Sequence, residues 1–305
     1  RIQTEICEYA KGHPIDVEDR MKLQKALFYS LRKYDVLSRL LEDDDITEIM
    51  INGYDRIFVE REGIISDYGK CFESPERLSE IIDQIAAKSN RIVNESSPIL
   101  DTRLDDGSRV NIVLSPISID GSAVTIRKFF KNQLTLNDLI KSDCISLSMA
   151  EFLINAVIEK KNIFISGGTG SGKTTFLNAL SAYIPQNERI VTIEDSAELK
   201  IQGVPNLVRL ETRNKNVEGK NEIKIRDLIR TALRMRPDRI IIGEIRGDEA
   251  IDLLQGLNTG HEGSLSTGHS NSAVDMLSRI ETMFLMGLDM SLISIRSQIA
   301  SAIDI

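Results

Sequence analysis

The stretch Asn162-Ile163-Phe164-Ile165-Ser166-Gly167-Gly168-Thr169-Gly170-Ser171-Gly172-Lys173-Thr174-Thr175-Phe176-Leu177-Asn178-Ala179-Leu180 decides the fold. An apolar run of strand character enters a glycine-rich turn, and a run of helical character leaves it. Gly167, four intervening residues, then Gly172, Lys173 and Thr174 fit the spacing of a loop that cradles nucleotide phosphates. The glycines let successive backbone N–H groups turn toward phosphate oxygens, so Gly168, Thr169, Gly170, Ser171 and Gly172 are the expected cradle. The helix behind adds its positive N-terminal end. Lys173 is expected to reach the β- and γ-phosphates, and Thr175 to meet the α-phosphate. The Thr174 hydroxyl is placed to ligate a magnesium ion held by the same phosphates, so ATP or ADP with Mg2+ are the expected cofactors.

Downstream of this loop, strand-like residues 162–166, 189–194, 207–211, 239–245 and 263–267 alternate with helical residues from 172, 225–235, 248–258 and 273–286. Such alternation predicts an α/β sheet with crossover helices, whose strand carboxyl ends gather the ligand site. Ser148 and Glu151 form an expected capping box for a helix reaching residue 160. Upstream, residues 16–41 carry apolar side chains at helical spacing and stop at the acidic run Glu42-Asp43-Asp44-Asp45, read as a solvated boundary. Residues 46–51, 56–60 and 64–68 read as strands separated by the hairpin dipeptides Asn52-Gly53 and Glu62-Gly63. Ser74 and Pro75 open a helix to residue 89, residues 102–104 turn through Asp106-Gly107 into a strand at 109–114, and residues 123–129 read as one more strand. The expected order is therefore a helical segment at 1–42, a small mixed α+β domain at 43–130, a linker with one short helix at 131–147, and an α/β P-loop domain at 148–305.

A chain of 305 residues is long enough for two cores, and 41% hydrophobic with 28% charged residues is ordinary for a globular protein. No run approaches the roughly 18 apolar residues that a membrane-spanning helix needs. A net charge of −8 and a pI near 5.2 argue against a nucleic-acid binder. Cys7, Cys71 and Cys144 are odd in number and far apart, which predicts neither disulfides nor a zinc site and fits a reducing cytoplasm. No secretory leader is read at the start. The chain opens on Arg1 and stops within the apolar-periodic residues 292–305, so an excised piece is expected.

Further chemistry is placed by strand ends. Ile240-Ile241-Ile242-Gly243-Glu244 reads as a buried strand delivering Glu244 to the ligand end, to hold magnesium-bound water or to orient the attacking water. The aspartate common at this motif is absent, with Gly243 near its place, so the magnesium shell is expected to lean on water. Val191-Thr192-Ile193-Glu194-Asp195 repeats the pattern. Glu194 is read either as a general base or water-orienting residue, or as a cap for the next turn together with Asp195. His269 is a candidate γ-phosphate sensor, while His261 is left between sensor and packing residue. Charge on the transferring phosphoryl group calls for arginine, and Arg109 and Arg127 are the leading candidates, with Arg127-Lys128 best placed and Arg103, Arg209 and Arg213 behind them.

The strings ITEIMINGYDRIFVERE, DTRLDDGSRVN, VTIRKF, VTIEDSAELK, LVRLETR and RMRPDRIIIGEIRGDEAIDLLQGLNTGHEGSLSTGHSNS, with the glycine loop, resemble the secretion ATPase superfamily. Within it they resemble most the CpaF-type ATPases of tight-adherence (Flp) pilus assembly. The resemblance covers residues 37–305 and implies a RecA-like ATPase domain, a hexameric ring and ATP hydrolysis powering pilus assembly or protein secretion. It makes Glu194 and Asp195 the centre of the Asp box, Glu244 the Walker B glutamate and His269 the end of the His box. It further implies that Arg109 and Arg127 are lent to the nucleotide, with an inner-membrane platform protein as partner and a cytoplasmic site at the membrane's inner face. The alternative is a nucleotide-gated scaffold with little turnover. A helicase is disfavoured by the absence of tryptophan and 5% aromatic content.

Overall fold

The computed structural model describes residues 34–89, 91–129, 134–213 and 221–305. It divides into two compact units, Arg1–Lys131 and Asn132–Ile305. Most of the expected helical segment at 16–41, together with Cys7, lies outside the described residues; its end forms α1 (Val36–Glu42).

In the first unit, β1 (Ile46–Asn52), β2 (Ile57–Arg61), β3 (Ile64–Asp67), β4 (Ile99–Arg103), β5 (Arg109–Val113) and β6 (Ala123–Arg127) form an antiparallel sheet in the order β3-β2-β1-β6-β5-β4. Alternation decides its buried face: Ile57 and Val59, Val110 and Ile112, Val124 and Ile126 all point inward at period two. In β1 the buried residues are Ile46, Ile49 and Ile51, and the register shift between Ile46 and Glu48 restores the facing that a three-residue step would lose. Against this face packs α2 (Pro75–Lys88), whose Leu78, Ile81, Ile82 and Ile85 make one helical stripe. Each such burial is worth about 2 kcal/mol. The helix starts where Ser74 Oγ accepts from Arg77 N at 3.3 Å. Glu62 and Gly63, at φ of 50° and 78°, make the tight β2–β3 turn that their dipeptide predicts.

The second unit holds α3 (Leu136–Lys141), α4 (Leu147–Ile158), β7 (Ile163–Gly167), α5 (Lys173–Ser181), β8 (Ile190–Glu194), β9 (Leu207–Glu211), α6 (Ile225–Ala232), β10 (Arg239–Ile245), α7 (Glu249–Leu257), β11 (Leu265–His269), α8 (Ala273–Gly287) and α9 (Leu292–Ala302). All five strands are parallel, in the order β7-β11-β10-β8-β9. Ile240 and Ile242 join one core with α6, α7, α8 and α9, while Ile241 joins another with α3, α4 and α5. A sheet covered on both faces explains why these strands read as continuous apolar runs.

Two expectations are corrected here. The residues read as a linker, from 134 onward, contribute to the second core: Leu136, Leu139 and Ile145 are buried, and α3 is closed by a Thr135–Asp138 capping box. Residues 131–133 lie outside the described residues. The cap of α4 is Ser146, whose Oγ accepts from Met149 N at 3.2 Å, whereas Ser148 is already helical and its hydroxyl sits 3.1 Å from that of Ser146. On the outer edge of β7, Ile305 O accepts from Phe164 N at 2.8 Å, and Asn162 O accepts from Asp304 and Ile305. Among the described residues no helix is long and apolar enough to cross a membrane.

Candidate nucleotide site

Sequence places a glycine wherever the loop after β7 leaves no room or needs a left-handed backbone. A Cβ on Gly167 would stand 2.6 Å from Ser171 Oγ, and Gly170 and Gly172 adopt φ of 72° and 86°. Gly172 is the N-cap of α5 and offers no side-chain cap, so the first N–H groups of the helix are left to bind an anion. Gly168, Thr169, Gly170 and Ser171 are exposed, and Thr174 and Thr175 lie half-buried in the first turn. Lys173 is 9% exposed. Its Nζ donates to Gly167 O at 3.0 Å and Gly168 O at 2.7 Å, and lies 3.3 Å from His269 Nδ1.

The parallel register carries the remaining groups to the same end of the sheet. His269 is the last residue of β11 rather than a residue beyond it, and it is in register with Gly167. A lysine ammonium has no acceptor, so Nδ1 of His269 accepts and the ring proton sits on Nε2. That nitrogen lies 3.1 Å from Glu244 Oε1. Glu244 Oε2 is 2.6 Å from an Arg246 guanidinium nitrogen. The structure thus brings Lys173, His269 and Glu244 into one line, with Arg246 at its far end; Arg246 is a member that spacing alone does not single out.

Glu194, at the end of β8, is 2% exposed. Its Oε2 accepts from Glu198 N at 2.6 Å and Leu199 N at 2.7 Å, so the capping role is real. Its Oε1 is buried with no hydrogen-bond partner. Burial pushes this carboxyl up to about 7, against the opposing pull of the two N–H groups and of Arg209. A Cβ on Gly243 would stand 3.1 Å from Glu194 Cγ. The place where an aspartate side chain would start is therefore filled by the methylene stem of Glu194 from the neighbouring strand. Asp195 is tied elsewhere, with Thr212 Oγ1 donating to its Oδ1 at 2.8 Å.

Other expected residues have local duties. His261 precedes β11, at the amino end of the strands, with Nδ1 3.3 Å from Gly256 O. Arg209 donates to Leu199 O at 3.0 Å, and Arg213 to Asn221 O at 2.8 Å. In the first unit, Arg103 pairs across with Arg109, and Arg109 with Arg127, giving three arginines in a row over β4, β5 and β6. Arg127 is half-exposed, 4.0 Å from Glu48. Lys128 turns its ammonium onto Leu40 O and Asp43 O, which commits it to its own unit.

A glycine loop between a parallel strand and an uncapped helix, with two strand-end glutamates and a histidine beside it, defines a P-loop NTPase site on a RecA-like sheet. The sequence matches the family of Type II/IV secretion system proteins over residues 31–305. The chain belongs to that family. It is 42% identical over 252 residues to the uncharacterized protein MJ0781 of Methanocaldococcus jannaschii, a match spanning 80% of this chain and 35% of that longer protein. It is 33% identical over 319 residues to the type IV secretion system protein VirB11 of Bartonella quintana, covering 90% and 87% of the two chains. The crystal structure of the pilus retraction motor PilT with bound ADP shares the fold at a TM-score of 0.63 and 20% identity, covering 90% and 76%.

Proposed function

We propose that this chain converts ATP hydrolysis into movement for a pilus-assembly or secretion machine. The convergence of Lys173, Glu244, His269 and Glu194 at one end of the parallel sheet carries this reading. Lys173 binds the β- and γ-phosphates and the N–H groups from Gly168 to Thr175 cradle them. Glu244 orients the attacking water and takes its proton, His269 senses the γ-phosphate, and Glu194 offers Oε1 as a second acceptor. The Thr174 hydroxyl and the Glu244 carboxylate suit a magnesium ion, which when bound neutralises phosphate charge.

Arg109 and Arg127 are assigned to the developing phosphoryl charge. Their alignment in one register across β4, β5 and β6, which gathers three cationic side chains at one place on the sheet, supports that role for the row. The long Asp-box, Walker B and His-box strings favour the CpaF-type subclass, a homo-hexamer and a membrane platform partner, with the chain at the cytoplasmic face of the inner membrane. Phosphate release from assembled protein with Mg·ATP tests the reading. Sustained turnover is expected, with Lys173→Ala abolishing it and Glu244→Gln leaving ATP bound but cleaved at least about 100-fold more slowly. Wild-type protein that binds ATP without repeated turnover is instead the nucleotide-gated scaffold.

A further inference from the structure

Arg246 stands just past the end of β10, two residues after Glu244, and its guanidinium lies 2.6 Å from Glu244 Oε2. Two residues apart on extended backbone share a face, so the pair is built by the strand itself. Arg246 is 57% exposed in its side chain and Glu244 17%. An exposed ion pair of this kind contributes only about 0–1 kcal/mol to folding, so stability does not account for the arrangement. Arg246 also lies in the field of Asp195 and Glu198, so its cation sits among the acidic groups of the strand ends.

The second oxygen of Glu244 is differently placed. Oε1 lies 3.1 Å from His269 Nε2, and no hydrogen bond of good geometry reaches it. The other ring nitrogen of His269 is 3.3 Å from Lys173 Nζ, so Oε1 is on the phosphate-loop side of the carboxylate and Oε2 on the Arg246 side. We infer that Arg246 is a positioning residue for hydrolysis: by gripping Oε2 of Glu244 it presents Oε1, beside His269, to the attacking water. This inference rests on the ATPase reading above. In the step it serves, the water oxygen bonds to the γ-phosphorus, the bond to the β–γ bridging oxygen breaks, ADP leaves, and the water proton passes to Oε1.

The test compares Arg246→Ala and Arg246→Lys, each alone and combined with Glu244→Gln, by steady-state phosphate release and by binding of a fluorescent ADP analogue to the full chain. Arg246→Ala is expected to lower kcat by about 10- to 100-fold. KM for ATP and ADP affinity stay within about twofold, which also reports a folded site. Arg246→Lys recovers part of the rate, and Arg246→Ala adds no further loss to Glu244→Gln, because both act through one carboxylate. Wild-type kcat in Arg246→Ala, a loss of affinity at unchanged kcat, or an additive loss on the Glu244→Gln background each overturns the assignment. Absence of repeated turnover in the wild type sinks the underlying ATPase reading instead; full turnover in Glu244→Gln removes Glu244 from the step and overturns this inference with it, whereas an inactive Glu244→Gln beside an unimpaired Arg246→Ala sinks this inference alone.

Discussion

Glu194 divides its work between its two oxygens, one fastened to the turn that follows β8 and the other held bare in a dry setting. A folded pKa of about 7 against an ordinary 4.5 has a definite sign. The folded state holds this proton more tightly than the unfolded chain, so the contribution to stability is full below about pH 4.5 and is lost as pH rises through about 7. Between pH 5 and pH 8 the group therefore removes up to about 3 kcal/mol. Glu194→Gln is expected to flatten this part of the stability profile, measured by denaturant unfolding at both pH values; an unchanged slope contradicts it. The sequence marks Glu194 as acidic and at a strand end but leaves base and cap as alternatives, because the turn that captures Oε2 is a tertiary matter. Gly243 was legible as a missing aspartate. That Glu194 occupies the vacated space depends on how β8 and β10 lie side by side, which no spacing records.

Among the elements, the strands and helices of the second unit were legible almost throughout, since apolar runs covered on both faces and amphipathic stripes leave clear periods. Ends were less so. Residues 142–148 carry serines at 142, 146 and 148, each chemically able to cap, and burial of Ala150, Leu153, Ala156 and Val157 sets the helix that Ser146 caps. Ser146→Ala is expected to cost about 1 kcal/mol, while Ser148→Ala, one position inside the helix, changes stability by less than about 0.5 kcal/mol. Thermal unfolding of the two variants checks the choice, and equal losses would contradict it. The short helix α3 looked like a connector because six residues give too little period to show a buried face, yet Leu136 and Leu139 supply one. In β1, a period-two reading fails at the register shift after Ile46, where the fold keeps three isoleucines inward despite their uneven spacing.

At the scale of the molecule, each unit has a hydrophobic core of its own: one cluster in the first, two flanking the parallel sheet in the second. Residues 132–305 produced alone are therefore expected to unfold cooperatively and to bind ADP. Their phosphate release is expected to fall by about 10³-fold or more if Arg109 and Arg127 serve the reaction as proposed. Calorimetry and phosphate release on the fragment check both halves, and unreduced turnover removes the two arginines from the chemistry. Which residues converge within the second unit follows from parallel order, and so was foreseeable. The arginine row across β4, β5 and β6 needed the antiparallel register. The bond between Phe164 N and Ile305 O ties the stretch after α9 to the strand that feeds the phosphate loop, three positions ahead of Gly167. A fluorophore on a cysteine put in place of Ile305 is thus expected to report nucleotide arrival, because its backbone is bonded to the strand that leads into the loop.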